Sequence, residues 1–413
     1  MRADRGSMTN RCRAGAGRPF AAVLVVGLVL AWVLGGAGGA AAQARPVKIG
    51  ALLAFTGPLA LNGESVWVGL DMALTHAGHR VAGRQIQVIK EDTQSNPNIG
   101  LQKVKQLIDR DDVDIIVGPI SSAVAAAIRD TIHQRKKLLI VPMAGDIEIT
   151  KMHLCSPYIF RVGINNWNQA YPFGTWAKQH IADRFYMAGS NFAYGQQSTR
   201  FFAEAFEKAG GRIIGKTMVS LGTKDYGPYL TQIAAANPPA LFVIFPGTDG
   251  VNFVKQFHDF GLHKKMKITN GTSTFSDDSL PAQGEAAVGA ITSANWAPTL
   301  DTPTNRRFME AVRKFSPRTN PSFSVVQGYD SGLVILKALE QSGGDARPDR
   351  LIPILEKLKI ESPRGTFEFD EQHEGVYPMY VVEIRMVGGK ATPVVIENMG
   401  RIKTPNMGCT LLK

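Results

Sequence analysis

Short apolar runs alternate with amphipathic stretches along almost the whole chain beyond residue 45. Residues 47–54 (VKIGALLA) read as a strand, and residues 64–77, stopping near Gly78, read as a helix. The series continues with strand 85–90, helix 98–109, strand 113–117, helix 122–134 and strand 138–141. Runs this short and this apolar, bounded by glycine and proline, mark strands covered on both faces. After Tyr158–Val162 the alternation starts afresh: helix 169–180, strand 185–188, helix 195–209, strand 212–220, helix 226–235, strand 240–245, helix 250–260 and strand 267–270. A strand at 289–296, helices at 305–315 and 323–342, and strands at 365–369, 377–386 and 392–397 close the chain. Repeated β-α-β alternation predicts parallel sheets with helices on both faces. The length exceeds one comfortable core, and no low-complexity linker interrupts it. The expected architecture is therefore α/β, with two doubly wound parallel-sheet lobes joined by short crossovers acting as a hinge.

The first 44 residues break this pattern. Arg2, Arg5, Arg11, Arg13 and Arg18 precede an apolar run, FAAVLVVGLVLAWVL, and a small-residue stretch ending Ala42-Gln43-Ala44. A basic head, a short apolar core and an A-x-A exit predict a cleaved export signal, residues 1–44. The alternative is an uncleaved anchor, but the apolar core falls short of the ~20 residues that span a bilayer. Cleavage after Ala44 removes five arginines and one aspartate, so the formal charge falls from +11 to +7. Scattered lysines such as Lys103, Lys105, Lys136 and Lys137 read as solvated faces. They form no single basic stripe of the kind that nucleic acid requires. Cys12 leaves with the signal. Cys155 and Cys409 remain in an oxidising compartment, which invites one disulfide, the alternative being two buried thiols.

In open α/β sheets, ligands bind beyond the carboxyl ends of the strands. The loops at those ends are Phe55-Thr56-Gly57-Pro58 through Asn62-Gly63, Gly118-Pro119-Ile120-Ser121-Ser122, and Pro142-Met143-Ala144-Gly145-Asp146. In the second unit they are Ser190 to Gly195, Pro246-Gly247-Thr248-Asp249, and Gly271-Thr272-Ser273-Thr274. They hold glycine, hydroxyls and aromatics. Enzyme signatures are absent: there is no G-x-S-x-G elbow, no P-loop, and no G-x-G-x-x-G after the first strand. No cofactor or metal is expected. His76 and His79 read as partners of terminal helix carbonyls rather than metal ligands. His153 near Cys155 does not by itself make a nucleophile-base pair. Asp277-Asp278 and Asp370-Glu371 read as surface turns. Trp167 and Trp296 fit a core or a cleft equally well. Ser121 and Ser122 begin a helix; the spacing favours an ordinary N-cap, the alternative being a hydroxyl turned to an anion with the helix dipole behind it.

With these motifs in order, the chain resembles the leucine/isoleucine/valine-type periplasmic binding proteins, the type I solute receptors of ATP-driven (ABC) importers. Val47-Lys48-Ile49-Gly50, Phe55-Thr56-Gly57-Pro58, Asn62-Gly63, Gly118 to Ser122, Ile140-Val141-Pro142, Tyr158 to Arg161, Ala193-Tyr194-Gly195 and Gly328-Tyr329-Asp330 carry the resemblance over nearly all of the chain beyond the signal. It implies three crossovers, with lobe 1 at 45–164 plus 295–370 and lobe 2 at 165–294 plus 371–413. It implies a periplasmic monomer that closes on one small solute and docks on a membrane permease. It places Ser122, beside Ser121, at a ligand carboxylate, and Met143 and Ala144 where a backbone carbonyl meets an amino group. Gly145 falls at a position that holds a hydroxyl residue in amino-acid receptors. Tyr194 closes from the second lobe, with Gly247 and Thr272 nearby, and Asn62 falls where an aromatic often lines the side-chain pocket. Two departures stand out: Gly145 lacks the hydroxyl, and Gly271 to Thr274 lack the acid that would meet an α-ammonium. Asp146 or Asp249 is left as a substitute. The expected ligand is a carboxylated solute, either a branched-chain amino acid or, favoured by the missing acid, an aromatic or hydrophobic acid facing Phe192, Tyr194, Phe245 and Trp167. A ligand sensor of the same fold is the alternative to a transport receptor.

Overall fold

The computed structural model describes residues 45–411, so the expected signal at 1–44 lies outside the described residues. The first unit runs β1 (Val47–Leu53), α1 (Ala60–His76), β2 (Arg80–Val81), β3 (Arg84–Asp92), α2 (Pro97–Asp109), β4 (Ile115–Val117), α3 (Ser122–Gln134), β5 (Leu138–Val141), α4 (Glu148–Lys151) and β6 (Ile159–Arg161). Its sheet has the order β2-β3-β1-β4-β5-β6 and is parallel except for the short β2–β3 hairpin. The period-two geometry of a strand divides β1 between two faces. Val47, Ile49, Ala51 and Leu53 pack toward α1, while Leu52 joins Val104 and Leu107 of α2 and Ile128 of α3.

The second unit runs α5 (Tyr171–His180), β7 (Arg184–Ser190), α6 (Ala193–Lys208), β8 (Arg212–Val219), α7 (Gly227–Ala236), β9 (Ala240–Ile244), α8 (Gly247–Asp259), β10 (Lys267–Asn270), α9 (Leu280–Gln283) and β11 (Ile291–Ala294). Here too the strand residues alternate. Leu241 and Val243 pack toward Leu230 and Phe253, whereas Phe242 and Ile244 pack toward Phe173 and Phe202. The chain then adds α10 (Pro303–Phe315), α11 (Phe323–Gln341), α12 (Pro348–Leu355), β12 (Lys359–Ser362), β13 (Gly365–Phe369), β14 (Gly375–Val387) and β15 (Lys390–Ile402). Helix α11 returns to the first unit and lies on α1. Glycines set that approach: a Cβ at Gly69 would collide with the Val325 carbonyl, and one at Gly328 with the Val66 carbonyl.

The doubly wound α/β class is present, with three departures from the sequence expectation. The second sheet is not wholly parallel, because β14 pairs antiparallel with β11, β13 and β15. Strands β2 and β12 and helices α4, α9 and α12 answer to no predicted element. Helix α1 starts four residues early, because Gly57 and Leu59 carbonyls accept the Ala60 and Gly63 N–H groups (3.2 and 3.0 Å). Asn62 and Gly63 are thus helical rather than looped.

The chain passes between the two units three times. Ile164 packs with the first core and Trp167 with the second; Ala294 packs beside the second sheet and Trp296 with α10 and α11. Strand β14 makes the third passage, with Tyr377 and Met379 in the first core and Val382 and Ile384 against the second sheet. Buried ion pairs gather at these passages. Arg364 pairs with Asp330 (2.9 Å), both side chains fully buried, and donates to the Val162 carbonyl (2.8 Å). Its guanidinium also sits over the Tyr377 ring, 4.3 Å from the centroid. The Tyr377 hydroxyl donates to the Gly163 carbonyl (2.9 Å) and accepts from Asn168 Nδ2 (3.0 Å). Arg161 pairs with Glu374 (3.3 Å), and Lys151 with Asp370. Asp370 is therefore a buried counter-ion and not the surface turn expected, whereas Glu371 is exposed and pairs with Lys403. Cys155 and Cys409 are bonded, Cα atoms 5.7 Å apart, which ties the carboxyl tail to the segment between α4 and β6.

Removing one partner of a buried pair leaves an uncompensated charge, which destabilises by about 3–5 kcal/mol. Asp330→Ala is expected to lower the free energy of urea unfolding by that amount. Adding Arg364→Met should restore part of the loss, and additive losses in the double variant would disprove the coupling.

Candidate ligand-binding site

The carboxyl ends of the strands of both sheets face one cavity, with about 430 Å³ of space not filled by protein atoms and partly open to solvent. The first unit lines it with Leu59, Asn62, Ile120, Ser122, Met143, Gly145 and Phe323. The second contributes Phe192, Tyr194, Pro246, Thr272 and Ser273, and the passage between them adds Ile164 and Gln169.

One wall is built from the amino terminus of α3. Ser121 occupies the N-cap position with an extended backbone, yet its side chain caps nothing and its buried hydroxyl has no partner among the described residues. The expected N-cap bond is absent. Ser122, one residue on, is buried, lines the cavity and accepts a hydrogen bond from the Gly145 N–H (3.1 Å). One of its two lone pairs is thereby occupied, and the hydroxyl proton is left to donate into the cavity. The positive end of the 13-residue helix α3 lies behind it. Glycine at 145 has a steric cause: a Cβ there would collide with Asn166 Oδ1, and Asn166 N–H donates to the Gly145 carbonyl (2.8 Å). The passage between the units thus occupies the volume where a hydroxyl side chain would sit.

The opposite wall is neutral and polar. The Tyr194 hydroxyl donates to Gln169 Oε1 (3.0 Å) and pairs with Ser273 Oγ (2.6 Å). Burial pushes the phenol above its ordinary range, so it stays protonated. Thr272 is positioned by its N–H, which donates to Asn270 Oδ1, while the Asn270 amide donates to the Val243 carbonyl (2.8 Å). Leu59, Ile120, Met143, Ile164, Phe192, Pro246 and Phe323 make the rest of the lining apolar. Among the described residues, none that lines the cavity is ionisable apart from Tyr194.

Of the sequence-selected residues, Asn62, Ser122, Met143, Gly145, Tyr194 and Thr272 come together here. Ser121, Ala144 and Gly247 do not line the cavity. Ala144 packs in the α2/α3 core, and Gly247 lies where the units touch, beside the Thr248 N–H that donates to the Pro58 carbonyl (3.4 Å). Neither acid held in reserve reaches the site. Asp146 accepts from Gln197 Nε2 (2.7 Å), and Asp249 accepts from Ser190 Oγ (3.2 Å) and from the Gly222 N–H (3.0 Å). Phe245 stacks on Phe253 in the core, and Trp167 stacks on Tyr171; neither faces the cavity. Trp296 is a core residue bonded to Asn305. His76 lies edge-on to Phe315 and Tyr329, and His79 meets Thr75 Oγ1 (3.3 Å) rather than a carbonyl. Asp277 and Asp278 are not a surface turn. Asp277 is buried, and Asp278 bonds Asn62 and Ser324.

The chain is similar to known proteins in both sequence and structure. The family model described as "Periplasmic binding protein" matches residues 46–391. A "Leu/Ile/Val-binding protein homolog 6" of Brucella melitensis is 28% identical over 337 residues, covering 80% of this chain and 85% of the relative. A solute binding protein of an ABC transporter from Rhodopseudomonas palustris, solved with 3,4-dihydroxybenzoic acid, is 30% identical with a TM-score of 0.83, covering 87% of this chain and 99% of the other. One from a second strain of that species, solved with p-hydroxybenzoic acid, is 27% identical with a TM-score of 0.80, covering 86% and 97%.

Burial raises the Asp249 carboxyl from its ordinary 3.8 to about 6. The folded chain then holds this proton more tightly than the unfolded chain. The associated stability is complete below pH 4 and is lost as pH rises through 6. Asp249→Asn removes that loss, so unfolding titrations at pH 5 and 7.5 should favour the variant, relative to the parent, more at the higher pH. An equal difference at both values would refute the assignment.

Proposed function

We propose, since the chain belongs to the periplasmic binding protein family, that it is the exported receptor of an ATP-driven importer and that its ligand is a carboxylated aromatic or other hydrophobic acid. The carrying observation is the charge balance of the cavity lining, which has donors for one anion and no carboxylate for an ammonium. Ser122 and the first N–H groups of α3 take the carboxylate, which is the anion geometry of a helix amino terminus. An α-amino acid would bring a cation into a site with no anion to meet it, and burying an unpaired charge is costly. A flat apolar acid fits the rest. Phe192 and Phe323 supply ring surfaces, Leu59, Ile120 and Ile164 supply aliphatic ones, and Tyr194 closes from the second unit. The relatives solved with dihydroxybenzoic and p-hydroxybenzoic acids support this class.

Delivery follows from the two-unit build. Residues 1–44 direct export and are cleaved after Ala44. The ligand enters an open form, and residues of the second unit complete the cavity as the three passages bend. The closed monomer then docks on a membrane permease, and the solute leaves unchanged.

Calorimetric titration tests this against benzoate, 4-hydroxybenzoate, leucine and valine. Binding of an aromatic acid without a response to leucine is expected; tight leucine binding with no aromatic response would overturn the ligand class. Ser122→Ala removes one hydrogen bond to a charged group, worth about 1.5–3 kcal/mol. It should weaken the aromatic acid roughly tenfold to a hundredfold, while the thermal midpoint of the unliganded protein stays within a few degrees of the parent.

A further inference from the structure

The side chain of Asn62 is fully buried, lines the cavity, and has a carbonyl oxygen with no partner among the described residues. Which end of an amide faces which way is decided by its neighbours. Here the neighbours leave one choice. Asp278 reaches across from the loop after β10, and its Oδ2 lies 3.3 Å from Asn62 Nδ2. Ser324 on α11 donates its proton to the same Asp278 Oδ2 (2.5 Å), so toward Asn62 its oxygen is an acceptor, also at 3.3 Å. Two acceptors on one side require the NH₂ there. The Asn62 oxygen is therefore turned the other way, on the side of Gly247. A Cβ built on Gly247 would stand 3.5 Å from it, and Pro246 is part of the cavity lining.

We infer that Asn62 Oδ1 is a fixed acceptor for a hydroxyl on the ligand, and that this receptor selects hydroxylated aromatic acids over unsubstituted ones. The inference rests on the aromatic-acid reading above and adds the specificity. A ligand without the donor leaves a buried carbonyl unpaired. Sites built around such a group reject isosteres that lack it. Asp278 is then a positioning residue, holding the amide from the second unit so that the acceptor is set only when the two units meet.

The experiment compares isosteric pairs by calorimetry: 4-hydroxybenzoate with 4-methylbenzoate, and 3-hydroxybenzoate with 3-methylbenzoate. In the parent protein one hydroxy acid should bind at least tenfold tighter than its methyl partner. In Asn62→Leu that ratio should fall to about one, with the methyl acid still bound. In Asp278→Asn, where the amide is free to turn, the ratio should also move toward one, which keeps the test intact if Asn62→Leu folds poorly. Ratios of one for both pairs in the parent, or a ratio that survives in Asn62→Leu, would overturn the inference while leaving the aromatic-acid reading standing. Leucine bound in place of every aromatic acid would overturn both.

Discussion

Arg364 and Asp330, buried together where the chain passes between its two sheets, hold the frame from which both walls of the cavity hang. An isolated guanidinium in that position would be untenable, and the surroundings supply a counter-charge, a carbonyl acceptor and a ring face. Asp330 takes the charge, the Val162 carbonyl takes an N–H, and the Tyr377 ring lies under the plane. Tyr377 in turn holds Gly163 and Asn168. The first passage, residues 162–169, is thus fastened to β14, the third. Ile164 and Gln169, which line the cavity, belong to that fastened segment. A buried pair of this kind is weak evidence for stability, since apolar residues would pack as well. Its use here is positional: directional bonds set where a crossover runs, which apolar contact alone leaves free.

The same passage explains the chemistry of the cavity. A Cβ at Gly145 would fall against Asn166 Oδ1, so a side chain there would have to displace the Asn166 side chain. The Gly145 N–H donates to Ser122 Oγ and orients its hydroxyl. One constraint removes a hydroxyl from the site and sharpens the donor that stays. On the far wall, Tyr194, Gln169 and Ser273 satisfy one another without a formal charge. The result is a cavity with one electropositive pole, a neutral polar wall and apolar faces between.

Much of this was legible in the sequence, and the limits have physical causes. The α/β alternation was readable because strands buried on both faces must be continuously apolar, as 138–141 and 240–244 are. Ser122, Met143, Tyr194 and Thr272 lie in loops at strand ends, where the fold places ligands, and it was the family resemblance that singled them out there. Gln169, Ile164 and Phe323 were missed because they line the cavity from a crossover and a helix start, which that rule does not inspect. Strands β12 and β15 were blurred because an edge pairing half exposed to solvent carries charge at alternate positions, as in KIES at 359–362. Asp277, Asp278 and Asp370 were misjudged for a different reason. Local sequence shows an acid in a polar stretch; it does not show that Lys151, or hydroxyls from a segment more than forty residues away, will cover it.

That last error carries the most information about the site. Amino-acid receptors of the resembling family place an acid in the loop that here reads Gly271 to Thr274. The acids of this chain lie a few residues further on, and they are already engaged by protein. Burial raises the Asp278 carboxyl, while hydrogen bonds from Ser322, Ser324, Ser65 and Asn62 hold it down. Those donors sit on α1 and at the start of α11, in the first unit, so the contact spans the two halves. An acid that elsewhere would meet a ligand's ammonium here meets hydroxyls and an amide of its own chain. On the reading proposed above, the exchange shifts recognition from charge to shape and hydrogen bonding. It also places part of the contact between the two units within the protein, and on the reading proposed above the ligand contributes a carboxylate, a ring and one correctly placed donor.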